Sequence, residues 1–357
     1  MPPAITPARA KKPFDARRHL RQGQVIPALP LALKPSRRWD ERRQRAVVRY
    51  YLDAGVGGLA VGVHSTEFAI REPAVGLYRP ILELAAATAR EWKPERKAPL
   101  ILIAGICGLT PQARAEAKLA RSLGYHAGLL SLGAWPQAPE KEILRHCRAV
   151  ARDIPLIGFY LQPAVGGRLL SHRFWRQFAE IPELLAIKIA PFNRYQTLDV
   201  VRAVMASGRD DVALYTGNDD NIIADLLTPF AFAGRTRFID GGLLGQWGVW
   251  TERAVALFRE LSQARAKPQL AVAWLKKNAE LTDANSAIFD PANRFAGCIP
   301  GIHEVLRRQG LLPSIVCLNP QERLSPGQAR EITRVARDYP WMVDDAFVAR
   351  GLAAWRA

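Results

Sequence analysis

At 357 residues the chain exceeds an average domain, but it fits one (β/α)8 barrel, which commonly takes about 250 residues, with an appendage to spare. An apolar fraction of 49% supports a sizeable core, and no apolar run reaches the ~18–20 residues of a membrane span. The net charge of +17 raises nucleic-acid binding, yet most arginines are interleaved with Glu and Asp, as in WDERRQRAVVR, a pattern of solvated helix faces that argues against it.

Residues 1–24 hold the one true basic cluster, Arg9 to Arg21, in a Pro-containing stretch expected to be a flexible arm. Val25 to Leu33 reads as a first strand. An amphipathic helix from Trp39 to Ala54 follows, closed by Gly55. A buried-type strand spans Gly57 to Gly62, with a helix from about Ala74 to Trp92. Leu100 to Ala104 is a third strand, and Thr110 with Pro111 opens a helix that Gly124 closes. His126 to Leu132 and Pro139 to Arg152 form a fourth pair. The fifth pair is Pro155 to Gln162 with Ser171 to Glu180, and the sixth is Leu184 to Ala190 with Asn193 to Ser207. Val212 to Thr216 and Asn218 to Ala231 make the seventh, and Arg237 to Leu244 with Trp247 to Gln263 the eighth.

Eight short apolar strands alternating with eight helices, with no Gly-rich dinucleotide loop after the first strand, predict a closed (β/α)8 TIM barrel over residues 25–265. Residues 266–357 read as a helical C-terminal extension that packs on the barrel or builds an oligomer contact. Four scattered cysteines, Cys107, Cys147, Cys298 and Cys317, show no CxxC pair and no metal-ligand spacing. They suggest a reduced, cytoplasmic chain with inert thiols, and neither a metal nor a cofactor is expected. The first residues lack the apolar centre of a secretory signal.

In such a barrel, chemistry sits at the C-terminal ends of the strands. Two of these ends carry a polar residue inside an apolar run. In LLAIKIA, Lys188 alternates with Ile187 and Ile189 and shares its face with Ala186 and Ala190. In PLIGFYLQ, Tyr160 shares a face with Gly158 and Gln162, and this face is expected to point inward with Lys188. A desolvated lysine has a lowered pKa and supplies a neutral amine that can form a Schiff base, while a tyrosine hydroxyl beside it can relay protons. His64, Ser65 and Thr66 after strand two, Trp135 after strand four and Gly217 after strand seven are candidates for holding a substrate. The Asp219–Asp220 pair is read as the start of the next helix, where negative charge suits the dipole.

These residues resemble the dihydrodipicolinate synthase and N-acetylneuraminate lyase superfamily of pyruvate-dependent class I aldolases. The features carrying the resemblance are VIPALPLAL, AGVGGLAVGVHSTE, GFYLQP, LLAIKIAP and YTGND, spread over the barrel. Tyr160 and Lys188 lie 28 positions apart, as the family's proton-relay tyrosine and imine-forming lysine do. The resemblance implies that Lys188 forms the imine, that Tyr160 shuttles the proton, that no cofactor is needed, and that the chain forms a dimer or tetramer. It also implies a 2-oxo acid such as pyruvate, with an aldehyde as second substrate. The chain departs from the family where Val63-His64-Ser65-Thr66-Glu67 replaces a Gly-Thr-Thr-Gly-Glu-like loop. It departs again where Val165 stands in place of an arginine, the nearest being Arg168. Both departures argue against a lysine-biosynthetic substrate. The alternatives are a dehydratase of a sugar-derived 2-oxo acid and a non-catalytic ligand-binding barrel.

Overall fold

A computed structural model describes residues 14–92 and 99–357. Eight parallel strands form the barrel: β1 (Val25–Pro27), β2 (Gly58–Val61), β3 (Ile101–Ile106), β4 (Ala127–Leu130), β5 (Leu156–Leu161), β6 (Leu184–Ala190), β7 (Ala213–Thr216) and β10 (Gly241–Leu244). Each neighbours the next, β10 pairs with β1, and the ring closes where Ala28 bridges Ala60. A small antiparallel hairpin, β8 (Phe230–Phe232) and β9 (Arg235–Arg237), intervenes before the last barrel strand. Its first strand takes Phe230 and Ala231 from the end of the expected seventh helix and its second takes Arg237 from the start of the expected eighth strand, and α8 is short, Ile222–Leu227.

The helices between strands are α2 (Glu41–Ala54), α3 (Tyr78–Glu91), α4 (Thr110–Ser122), α5 (Glu140–Ala151), α6 (His172–Ala179), α7 (Arg194–Ala206) and α9 (Thr251–Arg265). Their ends follow local chemistry. Asp40, Ser171 and Asn193 accept N-cap bonds from Arg43, Phe174 and Gln196, and Gly55 ends α2 at φ 87°, a conformation that suits glycine. Among the described residues no helix is long and apolar enough to cross a membrane.

Two apolar layers result. Inside the barrel sit Ile26, Ile103, Leu129, Ile157, Phe159 and Tyr215, while a second, larger layer separates the strands from the helices. The C-terminal region contributes α10 (Ala273–Phe289), α11 (Cys298–Arg308), α12 (Gln328–Asp338) and α13 (Asp345–Arg356). Helix α13 lies along α2, where Tyr50 Oη donates to Asp344 at 2.7 Å and Trp355 Nε1 to Asp53 at 2.7 Å.

The expected flexible arm needs correction over part of its length. Residues 1–13, including Arg9, lie outside the described residues, but α1 (Ala16–Arg21) is a helix across the N-terminal mouth of the barrel. Leu20 enters the inner core, and Tyr215 Oη donates to its carbonyl at 2.9 Å. Arg17 donates to the carbonyl of Leu184 at 2.9 Å and pairs with Asp211, and Arg21 pairs with Asp240. These arginines are spent on the barrel floor. That assignment was hidden because their carboxylate partners lie some two hundred positions away in the chain.

Candidate active site

At the opposite mouth, the C-terminal ends of the strands surround a cavity of about 70 Å³. Lys188 rises into it from β6. Its face carries Ala186 and Ala190, whereas Ile187 and Ile189 pack outward on the helices, as the alternation requires. Gly217, the residue after β7, makes the space for it: a Cβ there would stand 2.6 Å from Lys188 Cε. The amine has no hydrogen-bond or ion-pair partner among the described residues, and it stands 4.5 Å over the ring of Phe159.

Lys188 touches the solvent of the cavity yet lies deep in the protein, and its burial governs its protonation. Desolvation pulls its pKa down to about 8, against the opposing charge of Asp219. Asp219 lines the same cavity, and burial pushes its carboxyl up to about 7, against the pull of Lys188. Its Oδ1 is buried with no partner. A partly neutralised amine and a carboxyl titrating near neutrality therefore face one space.

His64 and Ser65, on a short 3-10 turn after β2, line the cavity as expected. Burial, and then the charge of Lys188, hold the His64 imidazole down to about 4, so it is neutral at physiological pH. Gln162 and Cys298 add an amide and a thiol, and burial pushes that thiol well above its usual range.

Three expected site residues are not brought together with the lysine. Thr66 is buried, and its hydroxyl is committed to the fold: it donates to the carbonyl of Leu29 at 2.6 Å and accepts from the Gly62 amide at 3.0 Å. Trp135 lies off the cavity, its ring 5.0 Å from His146 and its carbonyl accepting from Arg168 at 2.6 Å. Tyr160 is the major correction. It faces outward, buried against Trp175 at 5.0 Å between ring centroids, with its hydroxyl 3.4 Å from the carbonyl of Leu170.

The cause lies in the register of β5 on β6. Leu156 pairs with Leu184, but after an irregularity Ile157 pairs with Ala186, and from there Phe159 stands beside Lys188 while Tyr160 stands beside Ile189. A slip of one residue moves each side chain to the other face of its strand. The outward face is reinforced by α6, whose Phe178 ring occupies the space a Cβ on Gly158 would need, at 2.4 Å. The spacing of 28 thus places the phenol on the helix side, and phenylalanine takes the position beside the amine.

Asp219 was legible only as a helix opener, although its place directly past β7 is where a barrel presents chemistry. Phe289, Phe295, Cys298 and Ile302 reach the cavity from the C-terminal region, and no local signal marked them. Glu67 ties that region down: it is buried, its Oε2 accepts from the Leu318 amide at 2.6 Å, and desolvation pushes its carboxyl up to about 8.

No protein-family model matches the chain. N-acetylneuraminate lyase 2 of Escherichia coli O6:H1 is 24% identical over 300 residues, which is 83% of this chain and 87% of that protein. A 4-hydroxy-tetrahydrodipicolinate synthase of Cyanothece sp. is 30% identical over 121 residues, covering 33% of this chain and 39% of the other. Among solved structures, a prophage protein of the dihydrodipicolinic acid synthase family from Escherichia coli K12, in complex with pyruvate, superposes with a TM-score of 0.70. It is 16% identical, with 88% of this chain and 97% of that one covered. The chain is thus similar in sequence to an N-acetylneuraminate lyase and, over a third of its length, to a dihydrodipicolinate-type synthase, and it shares the barrel fold of solved structures from both branches of that superfamily.

Proposed function

We propose that this protein is a Schiff-base lyase or aldolase acting on pyruvate or a related 2-oxo acid. The observation that carries the reading is Lys188: a buried amine with a depressed pKa, unpaired, in a cavity at the catalytic end of the barrel. Neutral Lys188 Nζ adds to C2 of the 2-oxo acid, the carbinolamine oxygen leaves as water, and the iminium remains. Loss of a C3 proton gives the enamine, whose C3 attacks the aldehyde carbon. The new C–C bond leaves an oxygen that takes up a proton, and hydrolysis of the imine returns the lysine.

Proton transfer falls to Asp219, since the phenol of Tyr160 faces the other way. A carboxyl titrating near the working pH is suited to give and take a proton. Ser65, neutral His64 and backbone amides of the strand-two turn are the groups available to the substrate carboxylate. A second reading, a barrel that binds 2-oxo acids without turning them over, is favoured by that same outward tyrosine.

Exchange of the pyruvate methyl protons in D2O, followed by NMR, separates the two. The enzyme exchanges them through the enamine, more slowly when Asp219→Asn removes the acid–base group. Retention of the methyl signal alongside pyruvate binding overturns the catalytic reading.

A further inference from the structure

Glu67 ends the turn that carries His64 and Ser65, and the segment between α11 and α12 docks on it, with the Leu318 amide donating to Glu67 Oε2 at 2.6 Å. At this junction a carboxylate oxygen of Glu67, the sulfur of Cys317 and a carboxylate oxygen of Glu322 all lie within 4.8 Å of one another. None of the three lines the cavity of Lys188, so the cluster is separate from it.

The junction leaves polar atoms that the fold itself does not satisfy. Glu67 is 4% exposed, yet its Oε1 has no hydrogen-bond partner among the described residues. Glu322 Oε2 is enclosed in the same way, also without a partner. An unpaired buried carboxylate oxygen costs stability, and here two occur in one cluster with a fully buried thiol. Glu67 also holds φ 65°, uncommon for a residue other than glycine, so the chain keeps this carboxyl in place against a backbone preference.

The donor set selects the ion that would satisfy them. Mg2+ and Ca2+ favour oxygen ligands alone, whereas Zn2+ takes thiolate and carboxylate together. With Zn–S near ~2.3 Å and Zn–O near ~2.1 Å, ligand atoms on a tetrahedral ion stand roughly 3–4 Å apart. A cluster spanning no more than 4.8 Å closes to that size by small side-chain movements. Arg37 donates to the Cys317 carbonyl, and its charge reaches both Glu67 and Cys317. Two carboxylates, one thiolate, a divalent ion and Arg37 then sum to zero charge.

We infer that Glu67, Cys317 and Glu322 bind one thiophilic divalent cation of the Zn2+ type, which ties the strand-two turn to the C-terminal region. Binding sends the Cys317 thiol proton and the proton held on Glu67 to solvent, and no electron moves. The pH dependence that the Glu67 proton gives to stability therefore belongs to the metal-free chain. No ligand spacing shows in the sequence because the junction joins residues 251 positions apart. The inference is independent of the Schiff-base reading.

The full-length chain, stripped of metal with a chelator, is titrated with Co2+ as a coloured substitute for Zn2+. The expected result is one Co2+ per chain, with a thiolate-to-cobalt charge-transfer band in the near ultraviolet that Zn2+ displaces. Cys317→Ser should abolish the band. Glu67→Gln, which keeps an acceptor for Leu318, should weaken Co2+ binding at least about tenfold, the smallest loss expected when even an outer partner of a metal site is removed. An unchanged chain without the band, or a band that persists in Cys317→Ser, overturns the inference.

If Cys317→Ser does not fold, the melting temperature decides. A rise on adding Zn2+ to the unchanged chain that Glu67→Gln lacks supports the site, and an equal rise in both, or none in either, overturns it.

Discussion

The two mouths of the barrel are built from the same strands and differ in how their polar groups are satisfied. At the N-terminal mouth the groups of α1 are paired: Arg17 with Asp211, Arg21 with Asp240, and His19 within 2.7 Å of the Gly57 carbonyl. At the C-terminal mouth Lys188 has none among the described residues, and Asp219 keeps a buried oxygen unpaired. A buried polar group without a partner costs stability, so a fold that retains two of them at one end holds groups ready for a ligand. The floor is organised for stability and the top for chemistry.

Changes at the top should alter reactivity without unfolding the chain. Lys188→Met is expected to abolish borohydride trapping of pyruvate and to leave the melting temperature equal or higher, because a buried charge has been removed. Asp219→Asn should slow methyl-proton exchange by about 100-fold. It also removes a charge that raises the Lys188 pKa. The rise in trapping rate with pH, centred near 8 in the unchanged chain, should therefore move to lower pH in the variant.

Changes at the floor should do the reverse. Arg21→Ala leaves Asp240 buried, with Arg237 3.8 Å away as its remaining cation, and should cost about 1–2 kcal/mol in denaturant unfolding with the trapping rate intact. A floor variant that lost trapping in proportion to stability would break the contrast.

Glu67 sharpens it from a third place. Its folded pKa, about 8, lies above its unfolded value, so the folded state holds the proton. Stability then falls as pH rises from about 4.5 to 8 and stays low beyond. Glu67→Gln, which keeps an acceptor for Leu318, should flatten that decline in melting temperature. The smallest effect belongs to Tyr160→Phe: unchanged trapping and a loss of about 1 kcal/mol or less, since it removes one long hydrogen bond.

The architecture was legible because it rests on local periodicity. Alternation in LLAIKIA put Lys188 on the face with Ala186 and Ala190, and the helices expected to open at Trp39, Ser171 and Asn193 do so within two residues, at the N-caps Asp40, Ser171 and Asn193. The site was legible in part. Alternation grouped Tyr160 correctly with Gly158, but only the register between β5 and β6 decides which group faces the lumen, and one irregularity at Leu156 reverses it. Thr66 carries the residue type of a ligand-binding hydroxyl, and its use by Leu29 depends on a neighbour 37 positions away. The phenylalanines of the upper wall come from a region whose docking on the barrel leaves no periodic trace.

The central claim is that one amine in this cavity is nucleophilic without a phenol beside it. The most direct test is pyruvate with borohydride, followed by peptide mapping of the unchanged chain. A single reduced adduct per chain, on Lys188, is expected, and an adduct on another lysine, or none at pH 8, would contradict a nucleophilic Lys188.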